Sequence, residues 1–450
     1  MDRRKWLTWV LVIAALALVG FLTWLILGFF FGPSKTGDPG SSWSPGSFFP
    51  VSSSGVTPAG GGTGSGPSTD AGPRRGVPKL RQLSDVPTSG MVAFDKSEGG
   101  GGFRTKSAIF RWIERATGHI YEARSTNPTK TRISNTTIPG IQEAFFSDDG
   151  KSVVARYLRA DNETIETLVG QVQPVTGTTN NGYVFNETKL VTRFLAPNIA
   201  AAGDAPRDGY FYTLTDLDGG SVVSLVPYGT SSVATTIFES PLSQWAVTWV
   251  GDSLALRTKA DATHIGFLFS AAPGTDGTEK IIDGRIGLTA LVNPKGTRAL
   301  FSETVGNDLH LWEKNLETGD ERLFKLRALP EKCAWSPVEE TVVYCGAPDF
   351  YVRGEYPTNW YQGRFSFDDN IWRIDVDKEK YKVLHDTRVS DETFDVWKPS
   401  MSPGGDFLLF LNKRDLTLWS LDVRDDVKLP TGDTPPAATS TANASTTVSR

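Results

Sequence analysis

The stretch Trp397–Val423, WKPSMSPGGDFLLFLNKRDLTLWSLDV, decides the fold of this 450-residue chain. It contains three short runs of strand-favouring residues, separated by turn residues at Ser402–Gly405 and Asn412–Asp415. The middle run, Phe407–Leu411, is wholly apolar, and the last, which begins at Leu416, alternates in part. Three strands cannot bury their own apolar face, so the unit needs neighbours at its sides. The stretch therefore predicts one blade of a β-propeller.

The same turn followed by an apolar strand recurs along the chain. A Ser or Asn side chain can bond the backbone two residues on, proline presets φ, and glycine accepts a positive φ. The copies are Ser147–Gly150 before SVVARYL, Asn293–Gly296 before TRALF, Ser336–Glu339 before ETVVYC and Ser402–Gly405 before DFLLF, with weaker ones at Asp208–Gly209 and Val250–Asp252. Each copy predicts one blade.

Spacing supports this interpretation, since a four-stranded blade takes about 40–50 residues. From Gly296 to Glu339 there are 43 positions, whereas from Glu339 to Gly405 there are 66, which predicts an insertion in that blade. A hairpin pattern at Ile109–Ala123 brings the number of units to seven. We expect a strand near Met91–Phe94 to complete the last blade and to close the ring, because closure removes exposed strand edges.

Three phrases with this pattern carry a family resemblance: FFSDDGKSVVA at 145–155, AWSPVEETVVY at 334–344 and SMSPGGDFLLF at 400–410. They resemble the repeat of TolB-type β-propellers, relatives of the WD-repeat class. The resemblance implies a disc with a central channel and a role in binding. Similar propellers also cap oligopeptidases, but this sequence has no Gly-x-Ser-x-Gly, so peptidase activity is not carried over.

The N-terminus predicts a membrane anchor. Residues 6–31 carry no charge, and a helix of that length spans roughly 39 Å at 1.5 Å per residue, enough for a hydrocarbon core of about 30 Å. A cleaved signal peptide is the alternative, but its apolar region is usually only about 7–15 residues. Arg3, Arg4 and Lys5 place residues 1–5 in the cytoplasm by the positive-inside rule. The rest of the chain is then expected on the outer side of the cell membrane.

Composition divides the remaining chain into three parts. Residues 32–84 are rich in Gly, Ser and Pro and predict a flexible linker. Residues 85–430 contain the repeats and predict the propeller domain, which we expect to be monomeric. Residues 431–450 are of low complexity and predict a disordered tail.

Charge and composition exclude several classes of function. The formal net charge is −5 and the pI is about 5.6, which does not suit nucleic-acid binding. The two cysteines do not form a Cys-x-x-Cys motif, and the four histidines lack metal-ligand spacing. The sequence therefore predicts no metal, no cofactor and no catalytic residues.

The two cysteines are candidates for a disulfide. Cys333 and Cys345 are equidistant from the turn residue Glu339, so antiparallel pairing would place them directly opposite each other. A disulfide is expected on an oxidising side of the membrane. The alternative is a pair of small buried residues without a bridge.

The insertion at residues 347–369, APDFYVRGEYPTNWYQGRFSFDD, is the candidate binding loop. It joins the second and third strands of its blade, so it lies on the face of the connections between blades and can reach the channel mouth. Aromatic and Arg side chains of this kind are enriched at recognition surfaces. The candidate residues are Tyr351, Arg353, Tyr356, Trp360, Tyr361 and Arg364. The alternative is a lid whose aromatic residues pack on their own propeller.

These features predict a non-enzymatic, single-pass, membrane-anchored propeller that binds a protein or an envelope component outside the cell. Two alternatives remain open. One is a hydrolase or lyase at the channel mouth, which would require paired carboxylates with shifted pKa values in one pocket. The other is a purely structural spacer.

Overall fold

The computed structural model describes residues 77–424, apart from 99–104, 179–183, 206–208, 216–217, 230–232, 276 and 352. These residues form an all-β structure of seven four-stranded antiparallel sheets. The predicted anchor at 6–31, most of the predicted linker and the tail at 431–450 lie outside the described residues. Within those residues, no helix combines the length and the apolar character needed to cross a membrane.

Each sheet is one blade of a seven-bladed β-propeller, as predicted. Blade 1 consists of β2 (Thr88–Glu98), β3 (Thr105–Glu114), β4 (Ile120–Arg124) and β5 (Asn127–Arg132). Blade 2 consists of β6 (Ile141–Phe146), β7 (Ser152–Leu158), β8 (Ile165–Thr178) and β9 (Val184–Phe194). Blade 3 consists of β10 (Ala201–Ala205), β11 (Gly209–Thr215), β12 (Ser221–Pro227) and β13 (Thr235–Ser240).

Blades 4 to 6 follow the same order, each with its first strand innermost. Blade 4 consists of β14 (Trp245–Val250), β15 (Ser253–Thr258), β16 (Ile265–Ala271) and β17 (Thr278–Ile286). Blade 5 consists of β18 (Ala290–Val292), β19 (Arg298–Val305), β20 (Asp308–Asn315) and β21 (Glu321–Leu323). Blade 6 consists of β22 (Cys333–Trp335), β23 (Val342–Pro348), β24 (Asp369–Asp375) and β25 (Lys380–His385). A short helix, α1 (Thr358–Tyr361), lies in the insertion, and 3-10 turns occupy Pro330–Lys332 and Thr387–Val389.

The last blade contains the closure of the ring. It consists of β26 (Val396–Met401), β27 (Phe407–Asn412), β28 (Leu418–Asp422) and β1 (Leu80–Ser84). Strand β1 pairs with β28 through Leu80 opposite Leu421. Our prediction that Met91–Phe94 would complete this blade is wrong: those residues lie in β2, the inner strand of blade 1. The linker predicted for residues 32–84 must also end earlier, because Leu80–Ser84 forms strand β1.

Turn chemistry explains why the repeated motif folds as it does. The Asn293 side chain accepts bonds from the backbone N–H groups of Thr297 (2.8 Å) and Arg298 (3.0 Å), and the Ser402 hydroxyl accepts one from Phe407 N–H (3.0 Å). Gly405, at φ 77°, supplies the left-handed conformation that the turn between β26 and β27 needs. The side chain at the start of each turn thus fixes where the second strand begins.

The core is distributed between the blades. Among the described residues, seven buried apolar clusters each join two sequential blades, including one that joins blade 7 to blade 1 through Leu409 and Phe110. An eighth lies under the insertion. Because each blade buries one face against the next, no blade has a complete core of its own.

Candidate functional site

The insertion crosses from blade 6 over blade 5 to blade 4. Gly354 N–H donates to the Asn307 carbonyl (3.0 Å), and the Thr304 hydroxyl donates to the Tyr356 carbonyl (2.8 Å), both in blade 5. Ala262 N–H, in blade 4, donates to the Thr358 hydroxyl (3.0 Å). The insertion therefore lies across the face that carries the connections between blades.

The six candidate residues of the insertion divide into an inner and an outer group. Tyr356 and Trp360 are buried, at 1% and 0% exposure, in the cluster beneath the insertion. Tyr351 donates to the Asp308 carboxylate, which also pairs with Arg353 at 3.2 Å. The two buried aromatic residues pack on their own propeller, as the lid alternative for the insertion requires.

The outer group contains Tyr361, Arg353 and Arg364. Tyr361 is 45% exposed, and the two arginines are exposed as well. These three residues are open to a ligand, so the binding role of the insertion stays a prediction for them.

Two adjoining cavities open at the centre of the ring beside Tyr361. The outer one, of about 400 Å³, is lined by Tyr361, Trp245, Arg257 and Lys259 among others. The inner one, of about 290 Å³, also reaches Arg257 and extends to Lys398. Ala246 on the inner strand β14 lines both cavities and pairs directly with Arg257. We call the two cavities together the channel mouth.

A chain of polar side chains forms one wall of the channel mouth. The Tyr361 hydroxyl donates to Glu331, and Glu331 lies 4.0 Å from Arg257. Burial, and then the Glu331 charge, raise the pKa of Tyr361 above its ordinary value. Tyr361 therefore stays protonated at neutral pH, gives its hydroxyl proton to Glu331, and contributes its aromatic ring to the lining of the outer cavity.

On the other wall, Lys398 reaches from blade 7 to blade 2. It adopts a left-handed conformation (φ 47°) that is uncommon for a non-glycine residue, next to a register shift in β26. Its Nζ lies 3.1 Å from Glu143, which also pairs with Arg156 at 2.7 Å. Burial raises the pKa of Glu143, but the two cations outweigh it and hold that pKa below its usual value. Glu143 is thus an ionised partner of two cations.

A second polar group, which the sequence did not predict, lies sealed beneath the insertion. Lys332 Nζ is 2.6 Å from Asp369 Oδ2 and also binds Asp395 Oδ1. None of the three side chains is more than 1% exposed. We call Lys332, Asp369 and Asp395 the buried triad.

The triad joins three separate segments of the chain. Lys332 ends a 3-10 turn between blades 5 and 6, Asp369 begins β24, and Asp395 ends the connection to blade 7. Each residue alone resembles an ordinary charged residue at a strand end, so no local pattern pairs them. The adjacent aromatic residues were the only signal that this region was special.

The two cysteines are joined directly next to the triad. They lie opposite each other in β22 and β23, and the structure bonds Cys333 to Cys345. Replacing both by alanine is expected to lower the free energy of unfolding by about 3 kcal/mol, because a loop of about this length loses its constraint in the unfolded chain.

The disulfide prediction is checked by urea unfolding of the two-alanine variant and of the native protein with and without reductant. Reductant should move the native midpoint toward that of the variant and leave the variant unchanged. Equal midpoints for native protein and variant under oxidising conditions would contradict the stabilising role.

The described residues offer no metal site. Among them, no group of three or more His, Cys, Asp or Glu side chains lies close enough to hold a metal ion. The histidines make local contacts instead; His264 pairs with Asp261 at 2.9 Å, and His385 with Ser390 at 3.1 Å.

Comparison with known proteins finds likeness among solved structures alone. No protein-family model matches the sequence, and no curated protein does. The β-propeller domain of the trilobed protease from Pyrococcus furiosus is 11% identical with a TM-score of 0.45, covering 74% of this chain and 96% of that one. The β-propeller domain of Cps50 (Swd1) from Myceliophteria thermophila is 10% identical with a TM-score of 0.44. This match covers 77% of this chain and 100% of that one.

An oligogalacturonate lyase from Vibrio parahaemolyticus is 9% identical with a TM-score of 0.40, covering 76% of this chain and 99% of the lyase. These structures are too distant to carry an argument about function.

Proposed function

We propose that this chain is a membrane-anchored β-propeller on the outer side of the cell membrane, and that it binds an acidic segment of a protein or envelope component at the channel mouth without catalysis. The observation that carries the proposal is the exposed Tyr361 ring beside a cavity with an unpaired cation. Lys259 lines that cavity, is exposed, and makes no ion pair with another described residue.

The charge of the channel mouth favours an acidic ligand. Arg257, Lys259 and Lys398 line it, against Glu331 within the cavity and Glu143 beside it. The chain as a whole has a net charge of −5, so this basic patch contrasts with the overall charge. Local positive charge speeds the encounter with an acidic partner and orients it.

A hydrolase or lyase would need two carboxylates open to substrate, with at least one pKa raised. The pKa of Glu143 is lowered instead, because Lys398 and Arg156 outweigh its burial. The carboxylates of Asp369 and Asp395 lie close to one another but are sealed from solvent. We therefore favour a binding function over a catalytic one for the channel mouth.

A photo-crosslinking experiment in living cells tests the binding proposal. A benzophenone side chain is placed at position 361 in the full-length protein. The matched control is position 338, a residue that is 61% exposed in the turn between β22 and β23 on the opposite face. We expect a discrete adduct at position 361, none at 338, and loss of the adduct when Lys259→Glu is added. Equal labelling at the two positions would contradict binding at the channel mouth.

Membrane anchoring is tested separately, by fractionation. Deleting residues 6–31 is expected to move the protein from the membrane pellet to the soluble fraction, because the uncharged segment alone supplies enough apolar length to span the bilayer. A deletion of 52–72, which keeps the anchor, should leave the protein in the pellet. Protease added to intact cells should digest the propeller; full protection would contradict the outward orientation.

A further inference from the structure

The buried triad has no part in the proposed binding function, and its burial is costly. Each ion removed from water loses several kcal/mol of solvation, which partners must offset. The Phe367 ring lies 4.5 Å from Lys332 Nζ, and the Trp360 ring lies 5.2 Å from it. An amine and two carboxyl groups are thus held together in a closed aromatic chamber that bulk solvent does not reach.

The two carboxyl groups have different surroundings. Trp360 Nε1 lies 3.0 Å from both oxygens of Asp395, and the Ser366 hydroxyl donates to Oδ2 at 3.1 Å. These donors fix the orientation of the Asp395 carboxyl group, and its Oδ1 binds Lys332 Nζ directly. Asp395 is therefore placed to exchange a proton with Lys332.

Asp369 is less well satisfied. Its Oδ2 accepts from Val396 N–H at 2.7 Å, whereas its Oδ1 is buried with no hydrogen-bond partner among the described residues. Burial raises the pKa of Asp369 to about 7, and the Asp395 charge adds to this effect while Lys332 opposes it. Its neutral acid form is accordingly available near neutral pH, and a neutral carboxyl group is the form that an amine can attack.

We propose that Lys332 and Asp369 condense into an intramolecular isopeptide bond, with Asp395 as the acid–base residue. The reactants are held at 2.6 Å between Nζ and Oδ2, so the chain has already supplied the proximity that such a reaction needs.

The step balances with these three groups alone. Asp395 takes one proton from the Lys332 ammonium, and the free amine attacks Cγ of the protonated Asp369. Negative charge develops on Oδ2, where Val396 N–H stabilises it. A second proton passes from the nitrogen by way of Asp395 to Oδ1. The Nζ–Cγ bond forms, the Cγ–Oδ1 bond breaks, one water leaves, and Asp395 remains protonated.

The site favours the product for two reasons. Condensation removes a buried ammonium and leaves a neutral amide, so it relieves the cost of burying charge. Exclusion of solvent from the chamber slows the reverse hydrolysis. The bond would tie the start of β22 to the start of β24, next to the Cys333–Cys345 disulfide, and so fasten both ends of the insertion to the ring.

Mass spectrometry of the purified full-length protein, with the disulfide reduced, tests the proposal. We expect the intact mass to be lower than the sequence mass by one water. Trypsin should leave Lys332 uncut and yield Ala328–Arg353 joined to Phe365–Arg373. Recovery of the separate peptides Ala328–Lys332 and Phe365–Arg373, with no joined species, would overturn the proposal.

Three variants assign the roles. Lys332→Arg should retain its full sequence mass, since a guanidinium does not condense. Asp369→Asn should form the same amide with loss of one ammonia instead of one water. Asp395→Asn should remain unlinked while its near-ultraviolet circular dichroism matches that of the native protein. A link that forms at the native rate in Asp395→Asn would overturn the role of Asp395, and the native-protein masses remain decisive if a variant does not fold.

Discussion

Replacing Lys332 with methionine is expected to lower the free energy of unfolding by at least about 3–5 kcal/mol. That is the cost typical of breaking a buried ion pair by removing one partner, and where Lys332 and Asp369 have condensed the variant also loses the covalent link. Methionine fills a similar volume, so the loss would come from electrostatics and not from a cavity. It would leave the carboxyl groups of Asp369 and Asp395 facing each other without a cation. The measurement is urea unfolding followed by tryptophan fluorescence.

Lys413 provides the matched control for this substitution. Its Nζ donates to the Trp360 carbonyl at 2.8 Å and lies 4.9 Å from the Trp360 ring, but it is only partly buried and forms no ion pair with a described residue. Lys413→Met should cost about 1 kcal/mol, the value of one net hydrogen bond. If the two methionine variants lost equal stability, the triad would not be the special feature that its burial indicates.

The second large effect is expected for Trp360→Ala. This substitution should lower the free energy of unfolding by about 3–5 kcal/mol, the cost typical of truncating a buried tryptophan. This side chain is fully buried and donates to Asp395, so its removal opens a cavity and also takes a donor from the triad. The insertion should loosen as a result, and trypsin should cleave after Arg364 faster than in the native protein.

The neighbouring residue separates this effect from a general disturbance of α1. Tyr361→Ala removes a half-exposed ring from the same helical turn, and surface substitutions usually change stability by about 0.5 kcal/mol or less. We expect near-native unfolding and near-native trypsin sensitivity for Tyr361→Ala. Faster cleavage in both variants would show that the helix, and not the Trp360 anchor, holds the insertion.

The repeated blade could be predicted from the sequence because its cause is local. Turn residues such as Asn293 and Ser402 bond the backbone within five positions of themselves, so their effect is visible in a short window. The insertion was visible for the same reason, as an interval between turns that was too long. Its aromatic content predicted a special surface, although the structure divides those residues between the core and the channel mouth.

The strand that closes the ring and the buried triad could not be predicted, because both depend on distant partners. Leu80–Ser84 reads LRQLS, with two leucines and little alternation, and becomes a strand because β28 offers it an unpaired edge. Met91–Phe94 has the stronger strand pattern and is used in blade 1 instead. Likewise, Lys332 and Asp395 are 63 positions apart in sequence and are brought together only when blades 6 and 7 pack.

The chain enters and leaves the ring at one point, since Asp422 N–H donates to the Lys79 carbonyl at 2.8 Å. In an antiparallel pair, tension applied at two adjacent ends breaks the ladder one hydrogen bond at a time. A pull between the segments before Lys79 and after Asp422 would therefore peel β1 from β28 at low force and leave blades 1 to 6 intact. Within the described residues, the pairing of β1 with β28 is therefore the contact that tension between the two chain ends would break first.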